Sequence, residues 1–404
     1  MSCYHFLTSL LLVSIPQIPF VQSSTHIENA RSATVTLQET WYNGNTGLYN
    51  TTGWWNAANA LTTLADMTAV DPEVLDRTTN GILKNSFNRA QQNNLGVLKL
   101  NATYQCDGIS DLCPKDPTTV YSSKGWLNGY YDDESWWALA WITSWDLTKD
   151  DDYLEAATDI FEDLVSTGLN ATCGGIWWDK AHTQVNAIAN ALFISVAAQL
   201  ANRASNKDYY LAFAKKQWNW FMESGLINSA GNINDGLDLD TCKNNGDTVW
   251  TYNQGVILGA AVELDKADPG TGIYIPKAQA IADAALANTQ LVDSNGILHD
   301  VNEPNLGSSG VNFKGIFIRN LGILNQQVHS DKYVTFIQKQ ADAIWTKARG
   351  VGDELGPVWS GPVYADLTNA GTHSSAMDAL VAASNLQEGV GGYIGAFKRH
   401  LREY

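Results

Sequence analysis

Two kinds of segment alternate along the chain, distinguished by how their apolar positions are spaced. One kind is apolar on nearly every side, rich in small residues and almost free of charge: Trp54 to Met67, Glu134 to Trp145, Gln184 to Arg203, Trp250 to Lys266, Asn312 to Gln327 and Thr372 to Leu386. Helices with no polar face belong in an interior. The other kind is charged and amphipathic: His26 to Tyr42, Pro72 to Gln92, Asp152 to Thr167, Lys207 to Ser224, Ile273 to Leu291 and Asp331 to Arg349. These predict helices with one face in water. A helix pair repeated in pattern more than in sequence, six buried helices alternating with six outer ones, predicts two concentric rings. The expected architecture is an all-α (α/α)6 barrel in a single domain over residues 24–404. Strand signals are scarce, which argues against a parallel-sheet barrel. Two separate helical bundles would need a break in the alternation, and there is none.

The connections break the symmetry of the rings. Those from a buried helix to the next outer one are short, roughly two to six residues, the usual range for helix pairs. Those running back into a buried helix are on the order of 10 to 40 residues, and loops of that length are commonly functional. The long loops therefore gather at the end where the buried helices begin, and that end is expected to carry the cleft.

Composition narrows the chemistry. The chain has 404 residues, 45% of them hydrophobic, with a formal net charge of −17. That charge disfavours nucleic acid as a partner, because phosphate binding wants a basic face. Fifteen Trp and sixteen Tyr are an unusual supply of flat rings, and Trp54-Trp55, Trp136-Trp137 and Trp177-Trp178 occur as pairs. Rings of this kind pack cores, and in polar, Gly-rich surroundings they stack on sugars.

The first residues read as a secretory signal, 1–23. Phe6 to Ile18 is mostly apolar but too short to span a bilayer, and Val21-Gln22-Ser23 offers a small-residue cleavage site. No second long apolar segment follows, so no membrane span is expected. The polar run Lys398 to Tyr404 argues against a lipid-linked tail. Cys106, Cys113, Cys173 and Cys242 remain after the signal and allow three pairings. Cys106–Cys113 would close a small loop and Cys173–Cys242 would tie two longer ones; zinc spacing is not met. Asn50, Asn101 and Asn170 lie in glycosylation sequons. Neither a metal cluster nor a phosphate-binding Gly loop is evident, so no cofactor is expected.

The chemistry centres on Asp132 and Asp133, preceded by Tyr130-Tyr131, followed by Trp136-Trp137, and placed where a long loop enters a buried helix. An Asp at such a place is an ordinary N-cap. Two carboxyls this close also resist joint ionisation, so one pKa is expected to rise while the other stays low. The pair can then supply an anionic nucleophile and a protonated acid at one pH, the requirement for retaining glycoside cleavage.

The chain resembles glycoside hydrolase family 76, the endo-α-1,6-mannanases and their fungal cell-wall relatives. The resemblance lies in Gly53-Trp54-Trp55-Asn56-Ala57-Ala58-Asn59, in Tyr131-Asp132-Asp133 with Trp136-Trp137, and in Gly174-Gly175-Ile176-Trp177-Trp178. Further along, Thr251-Tyr252-Asn253-Gln254-Gly255 and Phe313-Lys314-Gly315-Ile316-Phe317-Ile318-Arg319 continue it. It implies an (α/α)6 barrel, a retaining attack on α-1,6-linked mannan, Asp132 as nucleophile and Asp133 as general acid/base. Glu134 is assigned a surface or capping role.

Substrate-binding candidates are Trp54, Asn56, Trp136, Trp177, Trp178, Asp235, Tyr252, Asn253, Gln254, Phe313, Lys314 and Arg319. Of these, Trp177 and Trp178 suggest a sugar platform, unless one is buried. Asp235 is either a hydroxyl ligand or part of an Asn-Asp-Gly turn. Arg319 is either a ligand or a partner of a buried acid, and His373 either a cap or a ligand. The expected activity is that of a secreted, monomeric endo-α-1,6-mannanase of the extracellular space or cell wall. Its rivals are a cell-wall transglycosylase acting on the mannan of lipid-anchored glycoproteins, and a non-catalytic mannan-binding protein.

Overall fold

The computed structural model describes residues 25–74, 78–94 and 125–387. Twelve α-helices run through them: α1 His26–Trp41, α2 Trp54–Val70, α3 Asn80–Arg89, α4 Tyr131–Thr148, α5 Asp151–Asp163 and α6 Ala187–Ala201, then α7 Lys207–Glu223, α8 Thr251–Ala267, α9 Tyr274–Ala287, α10 Phe313–Val328, α11 Asp331–Ala343 and α12 Ala370–Gln387. The even-numbered helices pack in sequence, α2 on α4, α4 on α6 and so on, and α12 closes the ring back onto α2. The odd-numbered helices lie outside them, α5 against α4, α7 against α6 and α9 against α8. This is the (α/α)6 barrel.

Local chemistry sets the boundaries. A capping box starts α1, where Thr25 Oγ1 accepts from the Glu28 amide and Glu28 Oε2 from the Thr25 amide. The expected start of α6 at Gln184 moves to Ala187 because the Asn186 side chain caps it, accepting from Ala189 N at 3.2 Å. Within the expected outer helix Pro72 to Gln92, α3 covers Asn80–Arg89 and a 3-10 turn, Ala90–Asn93, follows it; residues 75–77 lie outside the described ones. In α5 and α11 the last turn widens to π type, Leu164–Gly168 and Ile344–Ala348.

Burial follows the periodicity. In α6 every residue except Gln199 is buried, whereas α5 buries only one stripe, Tyr153, Ala156, Ala157, Ile160 and Phe161. Two glycines let the inner helices approach closely. A Cβ on Gly255 would stand 2.6 Å from Phe317 Cα, and one on Gly315 would stand 2.5 Å from the Ser375 carbonyl. At the short-loop end, Arg203 ties three inner helices together. It donates to Asp146 of α4 at 2.9 Å and to Glu263 of α8 at 2.8 Å.

The connections 149–150, 202–206, 268–273 and 329–330 are short, while 42–53, 164–186, 224–250, 288–312 and 344–369 are long and share the other end. Four long loops have the same root. Each makes a turn closed by an antiparallel bridge: Leu169–Ile176, Ile227–Ile233, Val292–Leu298 and Arg349–Leu355. The second residue of each bridge gives its amide to a buried side chain of a barrel helix. Ile176 donates to Asn190 at 2.9 Å, Ile233 to Gln254 at 2.8 Å, Leu298 to Gln340 at 2.8 Å and Leu355 to His373 Nδ1 at 3.1 Å. Backbone polar groups buried at the loop roots are thus satisfied from the barrel wall.

Among the described residues no helix is long and apolar enough to cross a membrane. Cys173 and Cys242 form a disulfide joining the loops 164–186 and 224–250. Cys106, Cys113, the sequon Asn101 and the signal 1–23 lie outside the described residues, whereas Asn50 and Asn170 are exposed loop residues.

Candidate active site

The Asp132-Asp133 pair stands in the first turn of α4, at the long-loop end. There the unpaired amides and the helix dipole favour negative charge. Three loops knit around this turn. Tyr131 N donates to the Trp178 carbonyl and Lys180 N to the Gly129 carbonyl, both at 2.9 Å, so the strand before α4 pairs with the segment carrying Trp178. That segment continues to Asn186, which bridges Gly236. Leu237 N meets the Val185 carbonyl at 3.0 Å and Ala187 N the Asp235 carbonyl at 2.7 Å. Residues distant in sequence are thereby fixed beside the two acids.

The acids are half-buried and differently held. Asp132 Oδ2 accepts from the indole Nε1 of Trp178 at 3.0 Å, and its Oδ1 from the Asp133 amide at 3.0 Å. Asp133 Oδ2 accepts from the Asn128 side-chain amide. Burial pushes Asp132 above the ordinary carboxylate range; the Trp178 indole opposes the rise and the charge of Asp235 adds to it. Asp133 is driven well upward by burial and then by the Asp132 charge, against the Asn128 amide. The expectation that one pKa stays low is corrected: desolvation raises both. The inequality persists, because Asp132 has the stronger set of donors.

Asp235 faces the pair from the loop before α8. Burial raises its pKa, and the Asn253 amide, donating to it at 3.0 Å, works against that rise. Tyr252 lies beside these acids; burial and the charges of Asp235 and Asp132 hold its phenol neutral. The start of α8 is fixed from below by Asp300, which accepts from Thr251 N at 3.0 Å and Thr251 Oγ1 at 2.7 Å.

Aromatic rings continue from Tyr252, and Phe313 and Trp136 among them are buried. Phe313 stacks on Tyr252 with centroids 3.7 Å apart, Trp55 on Phe313 at 6.2 Å and Trp136 on Trp55 at 5.7 Å. Trp55 is half-buried, and it is a ring that sequence reasoning left off the candidate set despite its place in the Trp54-Trp55 pair. Trp54 stacks on Trp126 and packs at a tilt on Trp137. Across the pair, Tyr130 is exposed and packs on half-buried Trp178 at 5.1 Å.

Several expected ligands serve the scaffold. Glu134 is not at the surface. It is fully buried, accepts the Asn128 and Gly129 amides at 3.0 and 3.2 Å, and pairs with Lys180 at 3.1 Å. It fastens the loop before α4 and does not cap the helix, whose N-cap Tyr130 has no side-chain cap hydrogen bond. Trp177 is 9% exposed and lies flat on His182, so only Trp178 of that pair faces the acids. Asn56 is buried against Asn312 at 2.7 Å. Gln254 is one of the loop-root clamps and spends both ends of its amide on Ile233. Lys314 is buried on Glu303 and the Pro357 carbonyl. Arg319 pairs with the buried acid Asp378 at 3.4 Å and with Asn59 at 2.5 Å. His373 clamps Leu355 through Nδ1, so its Nε2–H donates to the Ala33 carbonyl at 2.8 Å; burial lowers its pKa to about 4 and keeps it neutral. Polar side chains in the first turns of inner helices have two uses, and most are taken by loop roots and neighbouring helices.

Comparison with known proteins agrees with this geometry. The chain is 23% identical over 303 residues to mannan endo-1,6-alpha-mannosidase DFG5 of Saccharomyces cerevisiae, covering 70% of this chain and 60% of that protein. To the Candida albicans protein of the same name it is 21% identical over 366 residues, 84% of this chain and 74% of the other. It therefore spans about three fifths to three quarters of the length of these relatives. Among solved structures, one that superposes well is an inactive variant of the alpha-1,6-mannanase GH76A of Salegentibacter sp. HEL1_6, with two adjacent aspartates replaced by alanine, in complex with alpha-1,6-mannotetrose. Its TM-score is 0.73 at 20% identity, covering 90% of this chain and all of that one. Dfg5 from Chaetomium thermophilum in complex with glucosamine gives 0.70 at 19% identity, covering 89% and 90%. The profile of Glycosyl hydrolase family 76 matches residues 26–390, and the chain belongs to that family.

Proposed function

We propose that this protein is a secreted, retaining endo-α-1,6-mannanase that cuts the α-1,6-mannan backbone by double displacement. The observation that carries the reading is the unequal holding of two adjacent acids: Asp132 under the Trp178 indole and Asp133 on the Asn128 amide. The Asp132 carboxylate attacks the anomeric carbon while protonated Asp133 gives its proton to the departing glycosidic oxygen, leaving a mannosyl ester on Asp132. Water, deprotonated by Asp133, then cleaves the ester and restores both acids. Half-buried Asp235, held by the amide of fully buried Asn253, offers hydrogen bonds to sugar hydroxyls, and Trp55, Trp178 and exposed Tyr130 offer ring faces. The names of the fungal relatives and the oligosaccharide held by the bacterial neighbour support mannan as the substrate. The Cys173–Cys242 disulfide supports an oxidising compartment outside the cytosol.

The experiment is incubation of the protein, Asp132→Asn and Asp133→Asn with unbranched α-1,6-mannan, following products by mass spectrometry with and without an added acceptor oligomannoside. Early mid-sized oligomers from the native protein, and a loss of at least about a hundredfold in each variant, are expected. Full turnover in either variant refutes the assignment. Products longer than the substrate would point to transfer onto a sugar hydroxyl in place of water.

A further inference from the structure

Beneath the two acids lies a buried charged group that the proposed chemistry does not use. Lys180 Nζ sits 3.1 Å from Glu134 Oε1 and 2.7 Å from Asp163 Oδ2, over the Tyr131 ring. The Tyr131 hydroxyl donates to Thr167, whose own hydroxyl donates to the Asp163 carbonyl at 2.7 Å, so the group is braced on α5. Three donors converge on the one oxygen Glu134 Oε1: Lys180 and the amides of Asn128 and Gly129.

Asn128 is the link to the acids. Its backbone amide is spent on Glu134, and its side-chain oxygen accepts from Tyr130 N at 3.1 Å. With both of those fixed, its side-chain NH2 has one direction left, and that is Asp133 Oδ2. Because Oδ2 is occupied as an acceptor, a proton on Asp133 resides on Oδ1. Removing Lys180 would leave Glu134 a buried, unbalanced acid, and burial already pushes that carboxyl up to about 7. A neutral Glu134 holds the two amides less firmly, and Asn128 is released.

We infer that Glu134, Lys180 and Asn128 form a positioning relay that sets the orientation of the proton-donating carboxyl of Asp133, a role distinct from the nucleophile's. The inference rests on the proposed reading of Asp133 as general acid. A relay of this kind matters only where the departing oxygen needs a proton, and general distortion of the cleft would not discriminate in that way.

The test compares Asn128→Ala and Lys180→Met on two substrates: unbranched α-1,6-mannan, and an α-1,6-mannobioside carrying a dinitrophenyl leaving group that departs without protonation. Expected on mannan is a fall in kcat of about tenfold to a hundredfold with KM little changed. On the activated substrate, formation of the mannosyl ester should stay near native speed, as it should for Asp133→Asn. Asn128 is half-buried in a loop, so its variant decides the question even if Lys180→Met does not fold. Equal loss on both substrates, or no loss on mannan, overturns the inference. A substrate split in Asp133→Asn without one in Asn128→Ala overturns it alone. An absent split in Asp133→Asn removes the acid assignment and the relay together.

Discussion

Replacing Trp178 by Phe removes one neutral donor from Asp132 and leaves the other, the Asp133 amide. The ring that packs on Tyr130 is largely kept, and the indole N–H on Asp132 Oδ2 at 3.0 Å is lost. A hydrogen bond to a charged group contributes about 1.5–3 kcal/mol, and one pKa unit corresponds to about 1.4 kcal/mol. The Asp132 carboxyl, already raised by burial, should therefore rise by roughly one to two units more. Because Asp132 is half-buried and water can partly replace the donor, the lower figure is expected. The sign follows from the role. A nucleophile must be ionised, so raising its pKa costs about tenfold per unit on the acid side and nothing well above it. The assay is kcat/KM for reducing-end release from α-1,6-mannan across pH, which reports the free enzyme's acid and base. The acid limb should move to higher pH by about one unit and the alkaline limb should stay. A uniform loss at every pH, or an unmoved acid limb, would refute the assignment of Asp132 as the group that must be charged.

At the opposite end of the barrel, Arg203→Met should destabilise the fold by about 3–5 kcal/mol in chemical denaturation, since it strands Glu263 without its buried partner. Burial would raise the Glu263 carboxyl, but Arg203 and Lys266 outweigh that and hold it at about 2. That stabilisation is present above the ordinary Glu pKa and lost as pH falls toward 2, so the gap between native and variant should narrow on acidification; a constant gap contradicts the pairing. Replacing Cys173 and Cys242 together by Ser opens a link spanning 69 residues. Loop-closure entropy gives about 4 kcal/mol for that length. A lower melting temperature should come with reduced turnover, because the two linked loops carry Trp178 and Asp235.

The barrel was legible because its signal is periodic: all-round apolar segments had to be inner helices, and their start sites marked the end that gathers the long loops. The place of Asp132 and Asp133 in the first turn of an inner helix was legible from the same pattern, and their catalytic roles are the reading proposed above. Arg319 was correctly weighed against a buried acid, which proved to be Asp378. Gln254, Lys314, Asn56 and Trp177 were read as ligands because polar and aromatic residues at a helix start look alike whether they meet a sugar or a neighbouring backbone. The difference lies in which loop root folds back on them, and that is a long-range contact. Asn128 and Lys180 gave no warning for a related reason. A loop Asn and a loop Lys far apart in sequence acquire meaning only when the strand at Tyr130 pairs with Asp179.

The amide clamps at Ile176, Ile233, Leu298 and Leu355 make each long connection a structure of two independent parts. Its base is bolted to the wall by hydrogen bonds that ignore what lies further out, and its outer portion is tethered at both ends of a fixed gap. Insertions or substitutions further out along these connections leave the clamped roots in place, while Trp178 and Asp235, which lie beyond the clamps, depend on the pairing of one loop with the next. A protein built this way can vary its rim while the base of each loop stays where it is.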